Sequence, residues 1–227
     1  MGEPPPIEIR ALPLLLERAQ RLAGAGGRRL LGIAGAPGAG KSTLARRVVD
    51  ELGEAARLVP MDGFHLSNAE LSRLGRLDRK GAIDTFDAAG YLSLLSRLSD
   101  PRGSEVIYAP EFRREFEESF AGAIAIEAEL PLVVTEGNYL LVDSGPWAGV
   151  RELLDESWFC AIEGEVRIER LIARHVRYGR SSDDAQGRTL GTDERNARLV
   201  EAHRHLADIV VRLDATERER PERNACS

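Results

Sequence analysis

Cysteine is scarce in this 227-residue chain: Cys160 and Cys226 are the whole supply. Two thiols cannot build a disulfide framework, nor a zinc site by themselves. Cys160 sits in an apolar run and reads as a small core residue. No apolar stretch approaches the roughly eighteen residues needed to span a bilayer, so no membrane association is expected. The opening Met1-Gly2-Glu3-Pro4-Pro5-Pro6 lacks the charged and apolar regions of a secretory leader. Pro6 also stands where a myristoylation signal carries Ser or Thr. A cytoplasmic location is the expectation. A basic excess is missing as well: the formal net charge is −6, which argues against a general nucleic-acid binder. Lysine is as rare as cysteine. Of 31 basic side chains only Lys41 and Lys80 are lysine, a bias that base composition alone accounts for; at Lys41 a compact ammonium suits a phosphate loop better than a planar guanidinium, and Lys80 is singled out by the same rarity. No internal repeat is visible.

What is present is an ordinary globular composition, 43% hydrophobic and 30% charged, on a chain long enough for one packed α/β domain. Its most informative stretch is Gly35-Ala36-Pro37-Gly38-Ala39-Gly40-Lys41-Ser42, which fits the phosphate-cradling pattern G-x-x-x-x-G-K-[ST] at every fixed position. The context fits too. Arg29-Leu30-Leu31-Gly32-Ile33-Ala34 reads as a buried strand, and the run from Ser42-Thr43-Leu44 onward reads as the start of a helix. Glycines let the backbone curl so that successive N–H groups converge on phosphate oxygens, and the helix N-terminus adds partial positive charge. In that pattern Lys41 reaches the β- and γ-phosphates and the Ser42 hydroxyl ligates Mg²⁺.

Hydrophobic periodicity lays out the rest. Helices are expected over 8–25, from the glycine loop to about Gly53, over 87–98 with Asp87 as cap, over 165–179 and over 193–206. Strands are expected over 28–34, 56–61, 104–110, 131–137, 157–162 and 208–213. Residues 66–86 read as loop with short helical pieces, 111–120 as irregular, 180–192 as a polar gap, and the tail from Thr216 as frayed. Alternating strands and helices predict a single α/β domain over 1–227. Its architecture would be a three-layer sandwich with a mostly parallel, five-stranded central sheet and a helical lid over about 165–192.

Ligands of open α/β sheets bind beyond the carboxyl ends of the strands, and four features fall there. One is the glycine loop. Asp62 follows the second strand and is placed to accept a proton from an attacking hydroxyl, with a plain Asp-Gly turn as the alternative. Glu136 closes the apolar run 131–135 and suits a Mg²⁺ contact, with a solvated strand end as the alternative. Arg167, Arg170, Arg174 and Arg177, at spacings of three, four and three, place guanidiniums on one helix face that could clamp a phosphoryl group. An exposed face on an arginine-rich protein is the bland reading. His65, Lys80, Asp84, Phe86, Tyr108, Arg113 and Arg114 are polar or aromatic candidates for a polyhydroxylated acceptor.

These residues together resemble the phosphoribulokinase/uridine kinase group, which includes type I pantothenate kinases. The resemblance rests on the glycine loop, Met61-Asp62-Gly63-Phe64-His65-Leu66, Arg79-Lys80-Gly81 with Asp84-Thr85-Phe86-Asp87, Tyr108-Ala109-Pro110-Glu111-Phe112, and Thr135-Glu136-Gly137-Asn138-Tyr139-Leu140-Leu141. It covers about residues 10–213 and is nearest to bacterial fructokinase-like or nucleoside/nucleotide kinase-like members. It implies a P-loop NTPase fold and an ATP- and Mg²⁺-dependent transfer of phosphoryl to a hydroxyl of a small metabolite. Catalytic roles fall on Asp62, Lys41, Glu136, Arg170 and Arg174. Nucleotide contacts fall on Gly35, Ala36, Pro37, Gly38, Ala39, Gly40, Lys41, Ser42 and Thr43, and the metal on Ser42 and Glu136. Acceptor contacts fall in the segment of about 63–120 and just past Glu136, on His65, Lys80, Asp84, Phe86, Tyr108, Arg113, Asn138 and Tyr139. Uridine kinases usually carry D-S-F-Y where this chain has Asp62-Gly63-Phe64-His65, and pantothenate kinases carry longer chains, so neither acceptor transfers directly. A homodimer is compatible with this reading. A P-loop switch or motor, or a regulatory module without catalysis, are the rival readings; no N-K-x-D or L-S-G-G-Q run is present to favour the first.

Overall fold

The computed structural model describes residues 5–100 and 105–213. Cys226, the tail from Thr216, Met1–Pro4 and residue 104 of the expected strand lie outside the described residues. The chain runs β1 (Ile7–Ile9), α1 (Leu12–Ala23), β2 (Arg29–Gly35), α2 (Lys41–Leu52), β3 (Ala56–Pro60), α3 (Asn68–Arg73), α4 (Ala88–Ser99), β4 (Ile107–Arg113), β5 (Glu118–Ile126), β6 (Leu132–Gly137), β7 (Glu156–Cys160), α5 (Gly164–Arg177), α6 (Ser182–Arg188), α7 (Glu194–Ala202) and β8 (Ile209–Val211). Six of the strands form one wholly parallel sheet in the order β1–β8–β7–β2–β6–β3.

The sheet is buried on both faces, and the period-two geometry of a strand decides which side chain goes where. Leu31, Val134, Trp158 and Ile209 point toward α1 and α2, where they meet Leu15, Leu44 and Val48. Their neighbours Leu30, Val133, Phe159 and Val210 point the other way, onto Tyr91, Leu95 and Trp147. Three layers follow. On the second face Phe86, Tyr91, Tyr139 and Trp147 make an aromatic cluster with ring centroids 5.5 to 6.0 Å apart. The Tyr91 hydroxyl, buried in it, pairs with Thr135 Oγ1 at 2.6 Å, and Thr135 Oγ1 in turn donates to the Val59 carbonyl. Among the described residues no helix is long and apolar enough to cross a membrane.

Three expectations are corrected. The sheet has six strands, not five: Ile7-Glu8-Ile9 pairs along β8 at the edge, where the helix of 8–25 was expected, and α1 begins only at Leu12 with Pro13 in its first turn. Three residues are too short for alternation to be distinguished from a helix start. The strand expected over 104–110 does not enter the sheet. It forms an antiparallel hairpin with β5, over a stretch read as irregular, and its register shifts around Pro110, which has no N–H to donate. The polar gap 180–192 is mostly helical: Ser181 caps α6, and a π-helical turn, Thr189–Asp193, joins it to α7. Asp87 does cap α4, accepting the Gly90 N–H at 2.8 Å.

The hairpin lies directly on the turn that carries Asp62. A Cβ at Gly63 would stand 2.3 Å from the Pro110 carbonyl oxygen, a contact with backbone that only displacement of β4 relieves. Gly63→Ala is therefore expected to lose about 1–3 kcal/mol in denaturant titration. Gly164→Ala, where a Cβ meets nothing within 4 Å, serves as the control that stays near wild type.

Candidate active site

β2 and β6 are neighbours, so the loops that leave their carboxyl ends meet. The glycine loop leaves β2 and closes on α2 through Gly40, whose φ of 91° lies in the left-handed region. Gly38, at φ 82°, passes so close to α5 that a Cβ would lie 2.9 Å from Leu171 Cγ and 3.1 Å from the Arg167 carbonyl oxygen. The first residue of α2 is Lys41, which is buried. Its Nζ donates to the Ala36 carbonyl at 3.1 Å and to Asn138 Oδ1 at 2.8 Å. Burial lowers the Lys41 pKa, and the Glu136 and Asp62 carboxylates work against that shift.

Ser42 Oγ donates to Glu136 Oε1 at 2.8 Å. Glu136 is the next-to-last residue of β6, buried between Ile33 of β2 and Pro60 of β3. Its carboxyl is pushed up chiefly by burial and then by the negative charge of Asp62, with Lys41 and the Ser42 hydroxyl opposing. This pair of hard oxygen donors at a helix N-terminus fits Mg²⁺, which is usually held by one or two protein oxygens while phosphates and water complete the shell. Among the described residues there is no group of three or more His, Cys, Asp or Glu that could hold a metal ion.

Asp62 lies in the turn Met61–Phe64 after β3, with about a third of its side chain exposed. Arg114 reaches it from the end of the hairpin strand, Nη2 to Oδ2 at 3.7 Å. The Arg114 guanidinium also sits 5.6 Å from the centre of the Tyr178 ring, at the end of α5. A cavity of about 380 Å³ opens here, lined by the glycine loop and by Arg46, Arg114, Arg170, Arg174 and Tyr178. Arg174 has its pKa lowered by burial and then by the like charge of Arg114, while Asp193 and Asp62 oppose. The space is shaped and charged for a polyanion.

The other expected residues separate by position. Arg170 and Arg174 line the cavity; Arg167 does not, because it is buried against Glu194 of α7. Arg177 is exposed. Asn138 is the partner of Lys41, and the buried Tyr139 donates to the Gly81 carbonyl at 2.7 Å. His65 is stacked between Phe86 and Phe112, at 4.0 and 4.7 Å, with Nδ1 2.8 Å from the Asp62 carbonyl. Asp84 is engaged by Arg79 and Arg76. Lys80 is buried under the hairpin, bonded to Asn68 and to the Glu117 carbonyl. Arg113 stays on the hairpin, paired with Glu111 and 5.0 Å from the Phe120 ring. Tyr108 is 59% exposed on β4 and is not gathered with these groups. Of the hairpin arginines the structure brings Arg114 into the cavity rather than Arg113. β4 ends at Arg113 and Arg114 is the first residue of the turn that follows, so it leaves the strand's ladder where Arg113 stays in it.

Burial of Glu136 has a pH signature. A carboxyl raised in the fold binds an extra proton between its ordinary value of 4.5 and its raised value. That contribution to stability is complete below 4.5 and disappears as pH rises through the raised value. In ligand-free protein, Glu136→Gln should gain thermal stability relative to wild type as melts move from about pH 4 to pH 8. A difference in Tm that stays constant over that range would remove Glu136 as the titrating group.

Comparison with known proteins agrees with this geometry. A crystal structure of a protein from Silicibacter sp. TM1040, provisionally named a fructose transport system kinase, superposes with a TM-score of 0.80 at 37% identity, covering 89% of this chain and 99% of that one. A Schizosaccharomyces pombe protein with the provisional name uridine kinase C227.14 is 34% identical over 90% of this chain and 91% of its own length. The uridine kinase of Halobacterium salinarum is 29% identical over 80% of this chain and 78% of its own. Residues 30–217 match the family model described as Phosphoribulokinase / Uridine kinase family, and with the loop, the sheet order and the paired acids in place, the chain belongs to that family.

Proposed function

We propose that this P-loop kinase transfers the γ-phosphoryl group of ATP to a hydroxyl of a small metabolite, with Mg²⁺ as cofactor. The observation that carries the reading is the convergence on one cavity of a buried ammonium, a row of arginines and, at their edge, the partly exposed carboxylate of Asp62. Lys41 and the N–H groups of the glycine loop bind and orient the triphosphate. Asp62 accepts the proton of the acceptor hydroxyl as its oxygen bonds to the γ-phosphorus; the bond from that phosphorus to the β,γ-bridging oxygen breaks, and ADP leaves. Arg170 and Arg174 neutralise charge on the transferring group. Ser42 and Glu136 would hold Mg²⁺, which when bound would supply further charge neutralisation on the phosphates. Positioning and electrostatics account for most of the acceleration in such a reaction.

α5 and α6 form the lid in this reading. Arg188 of α6 donates to the carbonyls of Lys80 and Asp78, so α6 touches the acceptor-side segment. A non-hydrolysable ATP analogue should slow proteolytic cleavage within about 165–192. Equal cleavage with and without the analogue would count against a lid.

ADP release from ATP, measured with and without a panel of hydroxyl compounds, separates a kinase from an NTPase or a regulatory module. Acceptor-dependent release is expected. Asp62→Asn should lower that turnover by about 10²- to 10⁴-fold while ATP affinity by calorimetry stays close to wild type. Lys41→Ala should weaken both. Unchanged turnover in Asp62→Asn would remove Asp62 from the chemistry.

A further inference from the structure

The hairpin that delivers Arg114 is held in place with unusual effort. Arg114 opens the short turn between β4 and β5, and Glu117 closes it with φ 52°, a left-handed conformation that is costly for a residue with a side chain. The Glu117 carbonyl accepts from Lys80 Nζ and from Asn68 Nδ2 at 3.2 Å. Lys80 is buried, bonded also to Asn68 Oδ1 at 2.7 Å, with its ammonium 5.1 Å from the centre of the Phe112 ring. The Asn68 N–H donates to Glu118 Oε1 at 2.9 Å. One of the chain's two lysines therefore fastens the turn, and the turn fixes where Arg114 points.

That point is beside Asp62, and the contact is incomplete. At 3.7 Å the two groups attract but lie beyond hydrogen-bond reach, so this carboxylate leaves the guanidinium's donors unused. Arg174 lines the same cavity and carries like charge. Arg174 has Asp193 as well as Asp62 to offset its charge, whereas Arg114 faces Asp62 across 3.7 Å, and the positive cavity wall at Arg114 favours another anion beside it. The nucleotide's phosphates have the glycine loop, Lys41, Arg170 and Arg174. Arg114 comes from the hairpin, not from the lid, and stands next to the group that must hold the acceptor hydroxyl.

We propose that Arg114 binds an oxyanion group of the acceptor itself, so that the substrate is a hydroxylated acid, a phosphate monoester or a carboxylate, and not a neutral sugar or nucleoside. The inference rests on Asp62 as the base of the kinase proposed above. It is tested on the full chain loaded with a non-hydrolysable ATP analogue and Mg²⁺. Calorimetry would follow binding of glycerate and ribose 5-phosphate, as carboxylate and phosphate probes, and of ribose, fructose and uridine as neutral ones; ADP release with ATP would be read in parallel. Binding of at least one anionic probe is expected, weakened about 10- to 100-fold in Arg114→Gln and partly restored in Arg114→Lys, with nucleotide affinity changed far less. Preferred binding or turnover of a neutral probe, no binding of either anionic probe to analogue-loaded protein, or an Arg114→Gln variant that holds the anion as well as wild type would each overturn it. Failure of the kinase reading looks different: the nucleotide analogue does not bind, or ADP release never depends on an acceptor.

Discussion

A buried ammonium governs this molecule. Lys41 Nζ has two neutral oxygens for partners, Ala36 O and Asn138 Oδ1, and its charge is supported from slightly farther away by Glu136 and Asp62. Removing a charge from water is costly unless other groups replace the lost solvation. Here the replacement comes from two strand ends. Because β2 lies beside β6, the loop of one places Lys41 and Ser42 against Asn138 and Glu136 of the other. Move β6 one place in the sheet and the ammonium has no partner beyond its own loop. The strand order is in that sense part of the site.

The two carboxylates have contrasting surroundings. Glu136 is closed in by the sheet; burial and the like charge of Asp62 push its carboxyl up from the usual value, and the Lys41 ammonium opposes them. Asp62 keeps about a third of its side chain in contact with solvent and has Arg114 nearby. Acids in contrasting environments divide tasks, and the function proposed above gives the buried one the metal and the open one the proton. The surrounding arginines of the cavity keep both within a positive field.

How far the sequence could be read depended on which physical signal each part carries. The glycine loop is legible because three backbone constraints and one ammonium recur at fixed spacing, and Asp62 and Glu136 because each terminates an apolar run. The six-strand sheet was nearly legible; β1 escaped since Ile-Glu-Ile is too short to show a period. The hairpin escaped for a different reason. Its strands are held by pairing with each other, and residues 111–120 are charged because one side faces water, so composition hides the ladder. Lys80 stood out as one of two lysines, and its compact head serves Asn68 Oδ1, the Glu117 carbonyl and the face of Phe112. The sequence marked it as an acceptor contact; the fold uses it to hold the turn that carries Arg114.

The same small segment also links the two sides of the cavity. Residues 78–81 receive Arg188 of α6 on the carbonyls of Asp78 and Lys80, and Asn196 of α7 on the carbonyl of Gly81 at 3.1 Å. Tyr139, just past β6, donates to that same Gly81 oxygen. On its far side the segment's lysine grips the hairpin. α6, α7, the central sheet and the hairpin therefore meet on four consecutive residues, mostly through backbone oxygens. A displacement of α6 that kept the hairpin still would break charge-assisted bonds worth about 1.5–3 kcal/mol each. A displacement that kept them would carry the turn, and Arg114 with it. The contact network favours the second, so that α6 and the hairpin beside Asp62 are tied to each other through residues 78–81.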